Sequence, residues 1–208
     1  MKINYGQNVY NQKEITAVIN TLKAGTQMGS SVSKFEQNIS KIFSKKYGLM
    51  VNSGSSALIL ALKVLDLKEN SEVITPCLNF GTAVSSILLS NLKPVFVDCS
   101  LETLQINTDK IESKISKKTK VLLVPNLIGN IPDWIKIRKI ADKYNLKIIE
   151  DSADTLGAKI NNYSTGKYSD ISITSFYGSH VISCAGNGGI FLTNNKAYYN
   201  KAKVLRSW

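Results

Sequence analysis

Apolar residues come in short bursts along this chain. Positions 49–52, 72–75, 94–98, 120–124, 146–150, 171–175 and 189–193 are runs rich in β-branched residues and leucine, each bounded by turn residues. Runs of that length predict strands buried on both faces. Between them, apolar residues recur at helical spacing. Val32, Phe35, Ile39, Ile42 and Phe43 share one helical face, as do Ala57, Leu60, Ala61 and Val64, and again Ile137, Ile140, Ala141 and Tyr144. Pro132 suits the first turn of the last of these helices. Seven strands with interleaved helices predict a layered α/β domain, a seven-stranded and mainly parallel sheet with helices on both faces. No internal repeat or low-complexity stretch interrupts it. Ligands of such sheets bind beyond the carboxyl ends of the strands, so the loops after strands are where chemistry is expected.

A length of 208 residues suits one sizeable domain with a core that needs no disulfide or metal. No apolar run approaches the ~18 residues of a membrane span, and the first residues, MKINYGQNVYNQKEI, lack the apolar stretch of a signal peptide. No membrane partner is expected. Cys77, Cys99 and Cys184 are odd in number and show no CxxC spacing, which argues against a disulfide framework and a zinc site. A reducing cytoplasm is the expected compartment. The net charge of +11 raises nucleic acid as a partner, but only Arg138 and Arg206 are arginine. Readers of nucleic acid favour the arginine fork, so no nucleic-acid partner is expected. A positive field would still assist a small anionic substrate such as a nucleotide diphosphate.

Four stretches follow predicted strands. In Asn52-Ser53-Gly54-Ser55-Ser56 a strand ends, a glycine permits a tight turn and a helix opens on hydroxyl residues. That is either an anion site at a helix N-terminus or plain N-capping. No lysine follows in P-loop fashion. In Pro76-Cys77-Leu78-Asn79-Phe80-Gly81, Phe80 either stacks on a planar ligand or packs in the core, and Cys77 reads as a small buried filler. Glu150 and Asp151 close a strongly apolar run, and strand alternation sends them to opposite faces, so they are not a paired acid and base. A desolvated carboxylate at a strand end needs a cationic partner, such as a protonated ring nitrogen, unless it merely caps the next turn. The fourth stretch runs from Ser175 through Phe176, Tyr177 and His180 to the glycine-rich turn at Gly186–Gly189, and His180 is the chain's single histidine. Histidine-based metal ligation is thereby excluded, and no GxSxG nucleophile motif is present.

Together these blocks resemble the DegT/DnrJ/EryC1/StrS family of sugar-nucleotide aminotransferases, which use pyridoxal 5′-phosphate on the fold of aspartate aminotransferase. The likeness includes GTQMGSSVSKFE, NSGSSAL, EVITPCLNFGTAVSSIL, KPVFVDCS, NLIGN, ADKYNLKIIEDSADTLGA and SFYGSHVISCAGNGGIFLTN. The resemblance implies that Gly54 and Ser55 hold the cofactor phosphate with Ser175, that Phe80 stacks on the pyridine ring, and that Asp151 keeps the ring nitrogen protonated. Asn126 stands where the aminotransferases commonly have histidine.

The departure that matters is His180, which occupies the position of the Schiff-base lysine. Imidazole cannot form that bond but can serve as a base near neutral pH. A dehydratase branch of the family carries the same change, and Asp154 and Tyr177 also look like that branch. Asn187 and Val181 depart from it. The resemblance therefore implies C-3 dehydration of a nucleotide-linked 4-keto-6-deoxyhexose with pyridoxal or pyridoxamine 5′-phosphate, His180 taking a proton from the cofactor's C4′ carbon. An ordinary sugar aminotransferase and a catalytically inert cofactor-binding remnant are the alternatives. Implied partners are the nucleotide sugar, a second copy in the full-length form, and a reductase. The expected layout is an N-terminal helical segment over 1–30 and a cofactor-binding large domain over 31–208. Relatives continue into a small C-terminal domain, which this chain is expected to lack. A [2Fe-2S] cluster, where a relative uses one, would belong to that missing part, since no cysteine here has the spacing for it.

Overall fold

The computed structural model describes residues 9–207, so the first eight positions of the expected N-terminal segment and Trp208 lie outside the described residues. The elements are α1 (Gln12–Ala24), α2 (Ser30–Ile42), β1 (Tyr47–Val51), α3 (Gly54–Lys63), β2 (Glu72–Pro76), α4 (Gly81–Leu89), β3 (Lys93–Val97), β4 (Thr119–Pro125), α5 (Trp134–Tyr144), β5 (Lys147–Asp151), β6 (Lys159–Ile160), β7 (Tyr163–Ser164), β8 (Ile171–Ser175), β9 (Gly189–Thr193) and α6 (Lys196–Arg206). Each of the seven apolar bursts is a strand of one sheet, ordered β1-β9-β8-β5-β4-β2-β3. Strands β8, β5, β4, β2 and β3 run parallel, and β9 is antiparallel to both neighbours. The short hairpin β6–β7 is an addition that periodicity does not reveal, because two-residue strands carry no repeat.

Alternation along the strands divides the core in two. Val73, Val121, Leu123, Ile149, Ile173 and Phe191 pack with Leu58, Ala61, Ile87 and Ala202 of α3, α4 and α6. Their neighbours Ile74, Leu122, Val124 and Ile148 pack with Trp134, Ile137 and Ile140 of α5. All of these side chains are almost wholly removed from solvent, each of the larger aliphatic ones contributing ~1.5–3 kcal/mol by burial. The helices are well punctuated. The α1 capping box pairs Asn11 with Glu14, Asp133 caps α5 by accepting the Lys136 N–H, and α5 ends at Asn145 in the left-handed region. Pro132 thus precedes the cap instead of opening the first turn. Helix α1 buries no residue, and its Ile15, Val18, Ile19 and Leu22 remain exposed.

Because β1 points the same way as the five parallel strands, Val51, Pro76, Pro125, Asp151 and Ser175 all end on one edge, and Gly189 begins β9 there. The four stretches of interest leave the sheet from that edge.

Candidate active site

At one end of the edge, α3 is pressed onto β8 and β9. A Cβ on Gly54 would stand 2.7 Å from the Ser175 Cβ, and one on Gly189 would collide with the Ser53 carbonyl and the Gly54 nitrogen. Both glycines are therefore dictated by close approach. Ser53 caps the helix, its Oγ accepting the Ser56 N–H at 3.1 Å and its carbonyl the Ala57 N–H at 3.1 Å. The N–H groups of Gly54 and Ser55, at the very start of the helix, point along its axis out of the edge. Ser175 is buried against Gly54, and its Oγ accepts the Tyr177 N–H at 3.3 Å. The capping reading holds for Ser53, and the free N–H groups at the helix start beside Ser175 leave room for an anion there.

Phe80 is 70% exposed, so it is not a core residue. Asn79 fixes the loop, with Oδ1 accepting the Phe80 N–H at 2.8 Å and Nδ2 donating to Thr75 Oγ1 at 2.9 Å. Cys77 is exposed as well, which corrects the reading of it as a buried filler. It lies one residue beyond β2, its backbone N–H still donating to the Val97 carbonyl at 2.9 Å while its side chain leaves the sheet end and its thiol faces the Asp98 carboxylate at 3.7 Å.

Asp151 is buried at the end of β5. Its Oδ1 accepts the Ala153 N–H at 3.0 Å. Burial pushes its carboxyl up to about 7; the Ala153 hydrogen bond opposes this, and the charges of Asp154 and Glu150 add to it. A group so placed gains most from a cation brought against it.

His180 follows β8 after a turn in which its N–H donates to the Tyr177 carbonyl at 2.9 Å. Its Nε2 lies 3.8 Å from Asp154 Oδ1, and the Tyr177 ring meets it edge-on at 5.9 Å. The Nδ1 atom is buried and meets no hydrogen-bonding group among the described residues. Asp154 is anchored in turn, its Oδ2 accepting the Ile128 N–H at 3.3 Å. Ile128 holds a left-handed conformation (φ 58°, ψ 36°) and is exposed at the same edge. A β-branched residue pays ~1–3 kcal/mol there, the kind of strain that gathers at functional sites. Val181 is exposed beyond the histidine.

Two pairs are thus in direct contact, Gly54 with Ser175 and His180 with Asp154. Phe80 shares only the edge with Asp151, from β2, with β4 between them. Asn126 does not line the edge. It is 1% exposed, with Nδ2 donating to Glu150 Oε1 at 3.0 Å and Oδ1 accepting the Trp134 indole N–H at 2.8 Å. Glu150 and its partners are a buried polar cluster that sequence reasoning missed; a glutamate inside an apolar burst was the available signal. An aromatic cofactor with a phosphate and a basic ring nitrogen fits these residues: an anion cradle, an exposed phenyl ring, a buried carboxyl without a cation, and an orphaned imidazole nitrogen. No group of three or more histidine, cysteine or acidic side chains suited to a metal occurs among the described residues. No described helix is long and apolar enough to cross a membrane.

Comparison with known proteins places the chain among relatives. The model of the DegT/DnrJ/EryC1/StrS aminotransferase family matches residues 8–208. The chain is 36% identical over 173 residues to GDP-perosamine synthase of Escherichia coli O157:H7, covering 83% of this chain and 47% of that protein. It is 31% identical over 207 residues to the GDP-4-keto-6-deoxy-D-mannose 3-dehydratase of Yersinia pseudotuberculosis, covering 96% of this chain and 52% of that one. The crystal structure of NtdA from Bacillus subtilis with bound cofactor PMP superposes with a TM-score of 0.85 at 31% identity, over 92% of this chain and 44% of NtdA. The chain spans about half the length of the curated relatives it matches.

Proposed function

The chain belongs to the DegT/DnrJ/EryC1/StrS aminotransferase family, and from that premise we propose that its sheet edge binds pyridoxal or pyridoxamine 5′-phosphate and serves the C-3 dehydration of a nucleotide-linked 4-keto-6-deoxyhexose. The observation that carries this reading is His180. By the resemblance it stands where an aminotransferase needs its lysine; its Nε2 lies 3.8 Å from Asp154 Oδ1, and its Nδ1 is buried and unpartnered among the described residues. Similarity to a 3-dehydratase supports it, as does a solved relative that holds PMP.

When bound, the cofactor supplies an amine for the sugar ketone and a conjugated ring that accepts electrons. The chain's own residues do the rest. The Gly54 and Ser55 N–H groups and the Ser175 hydroxyl hold the phosphate. Phe80 covers one face of the ring and excludes water from it. Asp151 holds the proton on the ring nitrogen, a role its burial strengthens. His180 accepts a proton from the C4′ carbon and, having no primary amine, cannot tie the cofactor covalently. The proton taken by His180 would pass to the C-3 hydroxyl, which would leave as water in the deoxygenating step. The whole protein would act as a dimer in the cytoplasm, with a reductase where the product requires one, and this chain would be its cofactor-binding half.

The test pairs this chain with the C-terminal half of the Yersinia dehydratase and supplies GDP-4-keto-6-deoxymannose with pyridoxamine phosphate. Loss of the C-3 hydroxyl that disappears in His180→Asn is the expected result. Dehydration that survives His180→Asn, or an amino sugar made by the unmodified chain, overturns the assignment.

A further inference from the structure

Glu150 is wholly buried, directly behind Asp151 on β5. Its Oε1 accepts from Asn126 Nδ2 at 3.0 Å and Ser152 Oγ at 3.0 Å, and its Oε2 from Ser172 Oγ at 2.6 Å and Ser169 Oγ at 3.1 Å. Asn126 is itself locked, with Nδ2 also on Ser152 Oγ at 2.7 Å and Oδ1 on the Trp134 indole. Its backbone N–H donates to the Asp151 carbonyl at 2.8 Å. On the far side, the buried Lys45 donates from Nζ to the Ser169 carbonyl at 2.6 Å. Burial draws the Lys45 ammonium down to about 8 against the pull of Glu150 and Asp170.

Such a cluster is a poor way to fill a core. Apolar side chains of the same volume are often as stabilising as a buried charge pair, or more so. What the cluster does have is a position. Its Asn126 end grips the backbone of Asp151, and its carboxylate places negative charge behind the Asp151 side chain in a region of low dielectric.

We propose that Glu150 is a positioning residue for Asp151, and that the Lys45–Ser169–Glu150–Asn126 series sets how strongly Asp151 holds a cationic ring nitrogen. This rests on the reading of Asp151 as that nitrogen's partner. The groups that face Asp151 are few. From its own turn come the Ala153 N–H and the Asp154 charge; from the end of β4, the Asn126 N–H; from its own strand, Glu150, which Lys45 offsets through Ser169. Glu150 adds to the proton affinity of Asp151, and Lys45 moderates Glu150. Substitutions at the two positions must therefore move Asp151 in opposite directions.

The experiment reads the Asp151 side-chain carbon by NMR in the cofactor-free chain, assigned with Asp151→Asn, and the affinity for pyridoxamine phosphate and for its analogue with carbon in place of the ring nitrogen. Glu150→Gln keeps the hydrogen-bonding shape. It is expected to lower the Asp151 titration midpoint by about one pH unit, a tenfold change in proton affinity, and to weaken pyridoxamine phosphate about tenfold while leaving the analogue unchanged. Lys45→Met is expected to raise the midpoint. Should Glu150→Gln not fold, Lys45→Met carries the test by its sign. Equal losses for pyridoxamine phosphate and analogue, or an unmoved midpoint in either folded variant, would show a merely structural cluster and overturn the proposal. If the unmodified chain binds analogue and pyridoxamine phosphate equally, the reading of Asp151 itself fails, a result distinct from the midpoint shift.

Discussion

The imidazole of His180 and the carboxylate of Asp154 face each other across the edge of the sheet, Nε2 to Oδ1 at 3.8 Å. Asp154 thereby restrains one nitrogen of the ring while the other, Nδ1, turns into the protein. Its second oxygen holds the left-handed turn at Ile128. One carboxylate thus joins the loop after β5 to the loops after β4 and β8. Asp154→Ala should free both. C4′ proton exchange catalysed on bound pyridoxamine phosphate is expected to fall ~10²-fold, and the Ile128 amide should lose hydrogen-exchange protection. Unchanged exchange at C4′ would mean that His180 is held by its backbone turn alone.

Attachment of the cofactor should be noncovalent. His180 has no primary amine, and Lys167, close by in sequence, is committed to the Tyr163 ring, its Nζ 3.1 Å from the centroid. Borohydride treatment of the chain with pyridoxal phosphate should leave the peptide spanning 175–189 unmodified by mass spectrometry. A pyridoxyl adduct at Lys167 would contradict this.

Asp151 should make the cofactor-free chain less stable as pH rises. Its carboxyl is raised to about 7 from an ordinary value of 3.8, so between these limits the folded chain holds a proton that the unfolded chain has released. The stability linked to that proton is fully present below pH ~4 and is lost as pH climbs through ~7, an amount on the order of 4 kcal/mol. Asp151→Asn should abolish this slope in denaturant titrations run across the window, and should weaken pyridoxamine phosphate binding. A slope that persists in the variant would place the linkage on another group.

Lys45 acts with the opposite sign. Its ammonium is lowered to about 8 from 10.5, so between pH 8 and 10.5 the unfolded chain binds more protons. Its contribution is present above ~10.5 and is lost as pH falls through ~8, again by roughly 3 kcal/mol. Chemical denaturation should show a stability rise over this alkaline interval that is absent from Lys45→Met.

Gly54→Ala tests the anion cradle. The added carbon would press on Ser175 at 2.7 Å, which should cost ~1–3 kcal/mol by overpacking and push the helix start away from β8. Phosphate affinity, read by calorimetry with pyridoxamine phosphate, should drop more than tenfold, whereas pyridoxamine without phosphate should be affected little. Equal losses for the two would remove Gly54 from the phosphate site.

The sequence alone determined the layers. Strand and helix periods are local, so the bursts at 120–124 and 146–150 and the helical stripe through Ile137, Ile140 and Ala141 announced a parallel sheet clad in helices. The motifs named the edge residues, and the parallel sheet put them on one edge because parallel strands all end there. Which of them touch was decided only by the tertiary structure. The meeting of Gly54 with Ser175, of Asp154 with His180, and of Lys45 with Ser169 joins residues from separate strands and loops, the last pair 124 positions apart. Burial was also decided there. Cys77 read as a buried filler and Phe80 as either a stacking or a core ring, yet both stand outside, on the loop that leaves β2 at the sheet edge. Asn126 and Glu150, polar residues at the ends of apolar runs, are sealed inside, because α5 brings Trp134 over them and four donors satisfy the carboxylate that solvent no longer reaches.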